Sequence, residues 1–93
     1  MIIGVVHCEC YLYNTHSLKE KRSVIKSIMT RLKQTLNVAV AEVDYQELWQ
    51  RTTISIVTIN DNRIIAEKEL QKALALIDRT AEMERMTTEY EWL

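Results

Sequence analysis

Two stretches of this chain repeat their apolar residues at intervals of three and four, and each lies between stretches that alternate every second residue. A helix returns to the same face every 3.6 residues and a strand every two, so the switching of periods dictates an order of elements. In residues 2 to 12, Val6, Cys8, Cys10 and Leu12 alternate with Val5, His7, Glu9 and Tyr11, which describes a strand with one covered and one more open face. Ser17 followed by Glu20 forms an S-x-x-E capping box. Leu18, Ile25, Ile28, Met29, Leu32 and Leu36 then carry an amphipathic helix of about 20 residues. Asn37 is expected to end it in the left-handed conformation that glycine would otherwise supply.

Residues 38 to 43 read as a second strand and residues 52 to 59, rich in β-branched side chains, as a third. Between them Asp44 and Glu47 are expected to cap a single helical turn carrying Leu48 and Trp49. Asn60, Asp61 and Asn62 supply turn and cap chemistry before a second helix lined by Ala66, Leu70, Ala73 and Ile77. Residues 85 to 92 alternate again, Met86, Thr88, Tyr90 and Trp92 against Thr87, Glu89 and Glu91. The resulting order is βαββαβ. With right-handed crossovers it specifies an α+β ferredoxin-like domain: a four-stranded antiparallel sheet in the order 4132 with both helices on one face.

With 93 residues the chain makes one domain, residues 1–93, and 47 % hydrophobic residues suffice for its core. A single glycine and no proline exclude a phosphate-cradling loop, a dinucleotide fingerprint and flexible linkers. The N-terminus lacks the basic region and cleavage site of a signal peptide, and no stretch is long and apolar enough for a membrane span. The expected setting is the cytoplasm. Cys8 and Cys10, two apart on a strand, read as reduced core residues, with a metal or redox pair as the weaker alternative.

The net charge is −1, yet the first helix holds Lys19, Lys21, Arg22, Lys26, Arg31 and Lys33 against Glu20 alone. At 100° per residue, Lys19, Arg22, Lys26 and Lys33 fall within a sector of roughly 60°, a basic stripe suited to a row of phosphates. A solvated helix surface is the plainer interpretation. Lys21 points instead into the apolar sector between Ile25 and Ile28. It either runs its stem over the core edge and lifts its ammonium to water, or pairs with Glu42 or Asp44 at the sheet rim.

Helices on one face leave the other open. His7 and Glu9 project there, and Glu42 is expected to join them, but the chain has no nucleophile or metal-ligand motif, so no enzyme, cofactor or metal site is expected. His16 reads as a capping-region residue. An acylphosphatase would need a Gly-rich loop and an arginine after the first strand, where Tyr13, Asn14, Thr15 and His16 stand. An RNA-recognition motif would need aromatics on the third strand, which has none. Val57 and Ile59 add apolar surface to the open side, which suggests a homodimer. Tyr11, Trp49 and Trp92 are the candidate interface anchors, with end-of-core packing the alternative for the two tryptophans.

The segments Ser17-Leu18-Lys19-Glu20-Lys21-Arg22, Val40-Ala41-Glu42-Val43-Asp44 with Leu48-Trp49-Gln50-Arg51, and Tyr90-Glu91-Trp92-Leu93 resemble the YlxP-like family of small bacterial proteins, from end to end of the chain. The resemblance implies a cytoplasmic ferredoxin-like protein of a family classed as a domain of unknown function. Family genes commonly lie among those for transcription elongation, translation initiation and ribosome maturation, which implies an RNA- or ribosome-linked partner. Two expectations follow. One is a non-enzymatic module binding RNA or a ribosomal particle through Lys19, Lys21, Arg22, Lys26 and Lys33. The other is a protein-interaction or structural homodimer whose basic stripe meets an acidic surface, with no small-molecule substrate and no membrane in either case.

Overall fold

The longest strand, β1 (Ile2–Leu12), becomes the spine of the sheet because it pairs antiparallel on both sides. The computed structural model covers residues 1–93 and continues with α1 (Leu18–Thr35), β2 (Val38–Asp44), β3 (Arg51–Asn60), α2 (Arg63–Asp78) and β4 (Met83–Trp92). The strands lie in the order β2-β3-β1-β4, so the expected 4132 antiparallel sheet and the βαββαβ order are both present.

Alternation sorts the side chains as the sequence suggests. Val6, Cys8, Cys10 and Leu12 of β1 and Ile54 and Ile56 of β3 meet Ile25, Ile28 and Leu32 of α1 and Leu70, Ala73 and Ile77 of α2 in one core. Each valine, leucine or isoleucine among them stabilises the fold by roughly 1.5–3 kcal/mol on leaving water. Both thiols are fully buried and unbonded. Loss of hydration pushes Cys8 up to about 11 and Cys10 up to about 12, so both are neutral core residues. The only glycine serves close approach: a Cβ on Gly4 would lie 2.6 Å from the Trp92 ring, which rests across β1 beneath the Arg63 guanidinium, 3.9 Å from the ring centroid.

Three local expectations are corrected. Asn37 does not adopt a left-handed cap; α1 ends at Leu36 in extended backbone, and Asn37 instead donates to Glu69 and to the Ile59 carbonyl and accepts from Thr58. The connection from β2 to β3 contains no helical turn. Its Tyr45 takes the left-handed conformation (φ 59°), with its amide donating to the Asp44 carboxylate and its carbonyl accepting from the Leu48 amide and from a tertiary contact described below. β4 begins at Met83 rather than at 85, and the register shifts opposite Glu9 and Cys10. The extra residue breaks the alternation, so Met86 leaves the side shared by Thr88, Tyr90 and Trp92.

Candidate nucleic-acid interface

Helix α1 starts where the chain can satisfy its free N–H groups. The Ser17 hydroxyl accepts from the Glu20 amide at 3.1 Å, and the Glu20 carboxylate accepts from the His16 amide at 2.7 Å. The box therefore closes one residue upstream of the usual position, and His16 contributes its backbone rather than its ring. α1 packs mainly on β2, while α2 covers β3, β1 and β4.

Lys21, Ile25, Ile28 and Leu32 form the buried side. Lys21 is only 1 % exposed, so its ammonium does not reach water. It lies 2.9 Å from the Glu42 carboxylate and donates to the Tyr45 carbonyl at 2.5 Å. Glu42 also accepts from the buried Thr52 hydroxyl at 2.6 Å. Of the two arrangements open to Lys21, the carboxylate pair is the one adopted. Its charge is spent inside the fold, which separates it from the other basic residues of the helix. Glu42 consequently lies on the helix-covered side, opposite Ile54, and not beside His7 and Glu9.

Lys19, Arg22, Lys26, Arg31 and Lys33 are all exposed, and no carboxylate comes within ion-pair distance of any of them. Val24, Ser27 and Arg31 line a cleft against Arg79, Thr80 and Glu82 beyond the end of α2. That fixes the helix's rotation: its Val24 flank faces α2, and the flank bearing Lys19, Arg22, Lys26 and Lys33 overhangs the β2 edge. From Lys19 to Lys33 this stripe runs about 21 Å at 1.5 Å per residue. Only Glu20 carries negative charge on the same helix.

The open sheet face differs in kind. His7 bonds Ser55 through Nδ1 at 2.6 Å and Glu91 through Nε2 at 3.2 Å, and Arg51 pairs with Glu9. With Thr53, Thr87 and Glu89 nearby, its centre is polar and largely acidic. No three His, Cys, Asp or Glu side chains converge as a cation site. Beyond Glu9 a groove of about 600 Å³ opens between Tyr11, Leu48, Trp49, Arg51 and Met86, with Glu47 on its rim. The Arg51 guanidinium also stacks on Tyr45, 4.5 Å from the ring centroid. Tyr11 and Trp49 therefore come together. Trp92 lies at the other end of β1, half-buried against the core. The sequence marks Tyr11 and Trp49 singly; what it does not mark is Met86 joining them, which follows from the β4 bulge.

A four-stranded antiparallel sheet carrying two helices in βαββαβ order defines the ferredoxin-like α+β class. The de novo designed protein Foldit4 is similar in fold, with a TM-score of 0.56 over 100 % of this chain and 97 % of that one, at 16 % identity. In sequence, the model of the family described as "Protein of unknown function (DUF503)" matches residues 3–90. The "Uncharacterized protein YlxP" of Bacillus subtilis (strain 168) is 47 % identical over 91 residues, covering 98 % of this chain and 99 % of that protein. The chain belongs to the DUF503 family.

Proposed function

We propose that this protein is a non-enzymatic cytoplasmic binding module that holds RNA, free or within a ribosomal particle, against the outer flank of α1. The observation that carries the reading is the set of exposed, unpaired cations Lys19, Arg22, Lys26 and Lys33 on one side of one helix, in a chain whose net charge is −1. Like charges at spacings of three and four cost a helix a few tenths of a kcal/mol per pair, and an anionic partner removes that cost. Recognition through such a stripe engages phosphates, so it reads backbone and shape more than base sequence. Lys21, buried against Glu42, takes no part in contacting the anion.

The test is a titration of ribosomal RNA, and separately of ribosomal subunits, at two salt concentrations with wild type and Lys19→Glu/Lys26→Glu. Binding that weakens with salt and drops in the variant supports the reading. Equal binding by both proteins, or none at low salt, removes it.

The exposed groove supports a second reading, a protein-interaction module. Trp49 is 52 % and Met86 55 % exposed, and aromatic anchors of this kind concentrate binding energy at protein interfaces. Partners that survive nuclease treatment of a lysate and are lost with Trp49→Ala favour it.

A further inference from the structure

We infer that β2 is the edge through which a second copy of this chain pairs, and that pairing sets two basic stripes side by side as one anion-binding surface. The two edges of the sheet are built differently. β4 carries Glu84, Arg85, Glu89 and Glu91, the charge pattern that keeps an edge strand from adding another strand. β2 reads Val38-Ala39-Val40-Ala41-Glu42-Val43 and has no such protection. Its one acid in that span, Glu42, points inward and is neutralised by Lys21. Outside the ladder to β3, no backbone group and no side chain bonds to the backbone of these residues, so their outward N–H and C=O groups are free.

The occupant follows from self-complementarity. A two-fold axis demands that a strand tolerate itself. Antiparallel pairing centred near Val40 sets Ala39 opposite Ala41 on the open side and Val40 opposite Val40 on the helix side, with no like charges in register. The bulge at Val43 and the turn at Tyr45 limit the pairing to the first part of the strand. The same operation brings the α1 flanks that overhang each edge toward one another. Without an anion they repel, which makes the free dimer weak and stronger at high salt. A polyanion lying between them touches both, binds the dimer better than the monomer, and by linkage tightens pairing by the same factor. This second half rests on the reading of α1 as the anion-binding element.

Sedimentation velocity across a protein concentration series, at low and high salt and with or without a short RNA duplex, tests both halves. Ala41→Lys and Ala39→Glu are the variants; both positions are exposed, so folding is not at stake. The expected result is a wild-type dimer favoured by salt and by the duplex, and a dimer dissociation constant at least tenfold higher in both variants. Wild type that stays monomeric throughout, or variants that dimerise as wild type does, overturns the β2 edge. Duplex binding is read separately by anisotropy. A variant-sensitive dimer that never binds the duplex upholds the edge and overturns the helix reading. Ala41→Lys that stays monomeric yet binds the duplex with a shallower salt dependence supports both.

Discussion

Lys21 and Lys26 stand five positions apart on the same helix and have opposite fates. One is sealed beneath the helix with its charge matched by Glu42; the other is open to solvent with no partner. Composition counts them alike, as part of a basic helix on a slightly acidic chain. Geometry separates them: the inner cation contributes to folding and the outer ones are free to act on something else. The largest test of that division is to break the inner pair. Glu42→Ala leaves a buried ammonium with only the Tyr45 carbonyl, and loss of one partner of a buried pair costs about 3–5 kcal/mol. Urea unfolding should show a fall of that order, with Lys21→Met/Glu42→Leu recovering much of it. A loss under about 1 kcal/mol means that Lys21 finds water after all.

Alkaline titration separates covered from open groups as well. Cys8 and Cys10 lie on the covered side of β1 with their thiols pushed from an ordinary value of 9.0 to about 11 and about 12 by burial. The unfolded chain releases these protons near pH 9 and the folded one holds them. Their contribution to stability is therefore complete below pH 9 and lost as pH rises toward 11–12, at up to about 1.4 kcal/mol per pH unit for each thiol. Urea midpoints at successive pH values should fall over this window, and the slope should flatten in Cys8→Ala/Cys10→Ala. An equal slope in that variant assigns the alkaline loss to other groups.

The sequence carries the division only in part, and the reasons are physical. The order of elements and the face of nearly every core residue follow from periods of 2 and 3.6, because burial of one face enforces them. The angle of Lys21 on α1 already places it among Ile25 and Ile28. What decides between snorkelling and pairing is the position of Glu42, and that was legible as well: it shares parity with Val38 and Val40, so it belongs on their side of β2. The turn at Tyr45 is different. Local bonds, Leu48 amide to Tyr45 carbonyl and Tyr45 amide to the Asp44 carboxylate, share it with a long-range bond from Lys21, and that last bond is the part no local propensity of residues 44 to 50 could announce. Met86 depended on a bulge that shifts one residue, and the groove with Trp49 depends on both. Asn37 takes no left-handed cap because its polar groups meet Glu69, Ile59 and Thr58 across the fold instead.

On the outer flank, the sharper measurement is the dependence of RNA affinity on salt. If Lys19 and Lys26 each meet a phosphate, Lys19→Glu/Lys26→Glu removes two contacts, and the slope of log affinity against log salt becomes shallower by about 1.4–1.8. Affinity at low salt should fall tenfold or more. A weaker affinity with an unchanged slope points to a folding defect rather than lost phosphate contacts, and the far-ultraviolet circular dichroism of the variant separates the two.

The smallest expected effect is the most discriminating between the two flanks. Lys26→Ala removes a cation that no carboxylate accompanies and that sits four residues from Arg22, a like-charge pair that costs roughly 0.2–0.5 kcal/mol. Alanine is also the better helix former. Stability should therefore stay level or rise by a few tenths of a kcal/mol in urea, while RNA affinity declines. The opposite sign matters more than the size. A stripe cation whose removal destabilises the fold by 1 kcal/mol has a structural partner, and the outer flank would then resemble the inner one. A residue that slightly weakens the fold it sits on and strengthens the binding of RNA has its role outside the monomer.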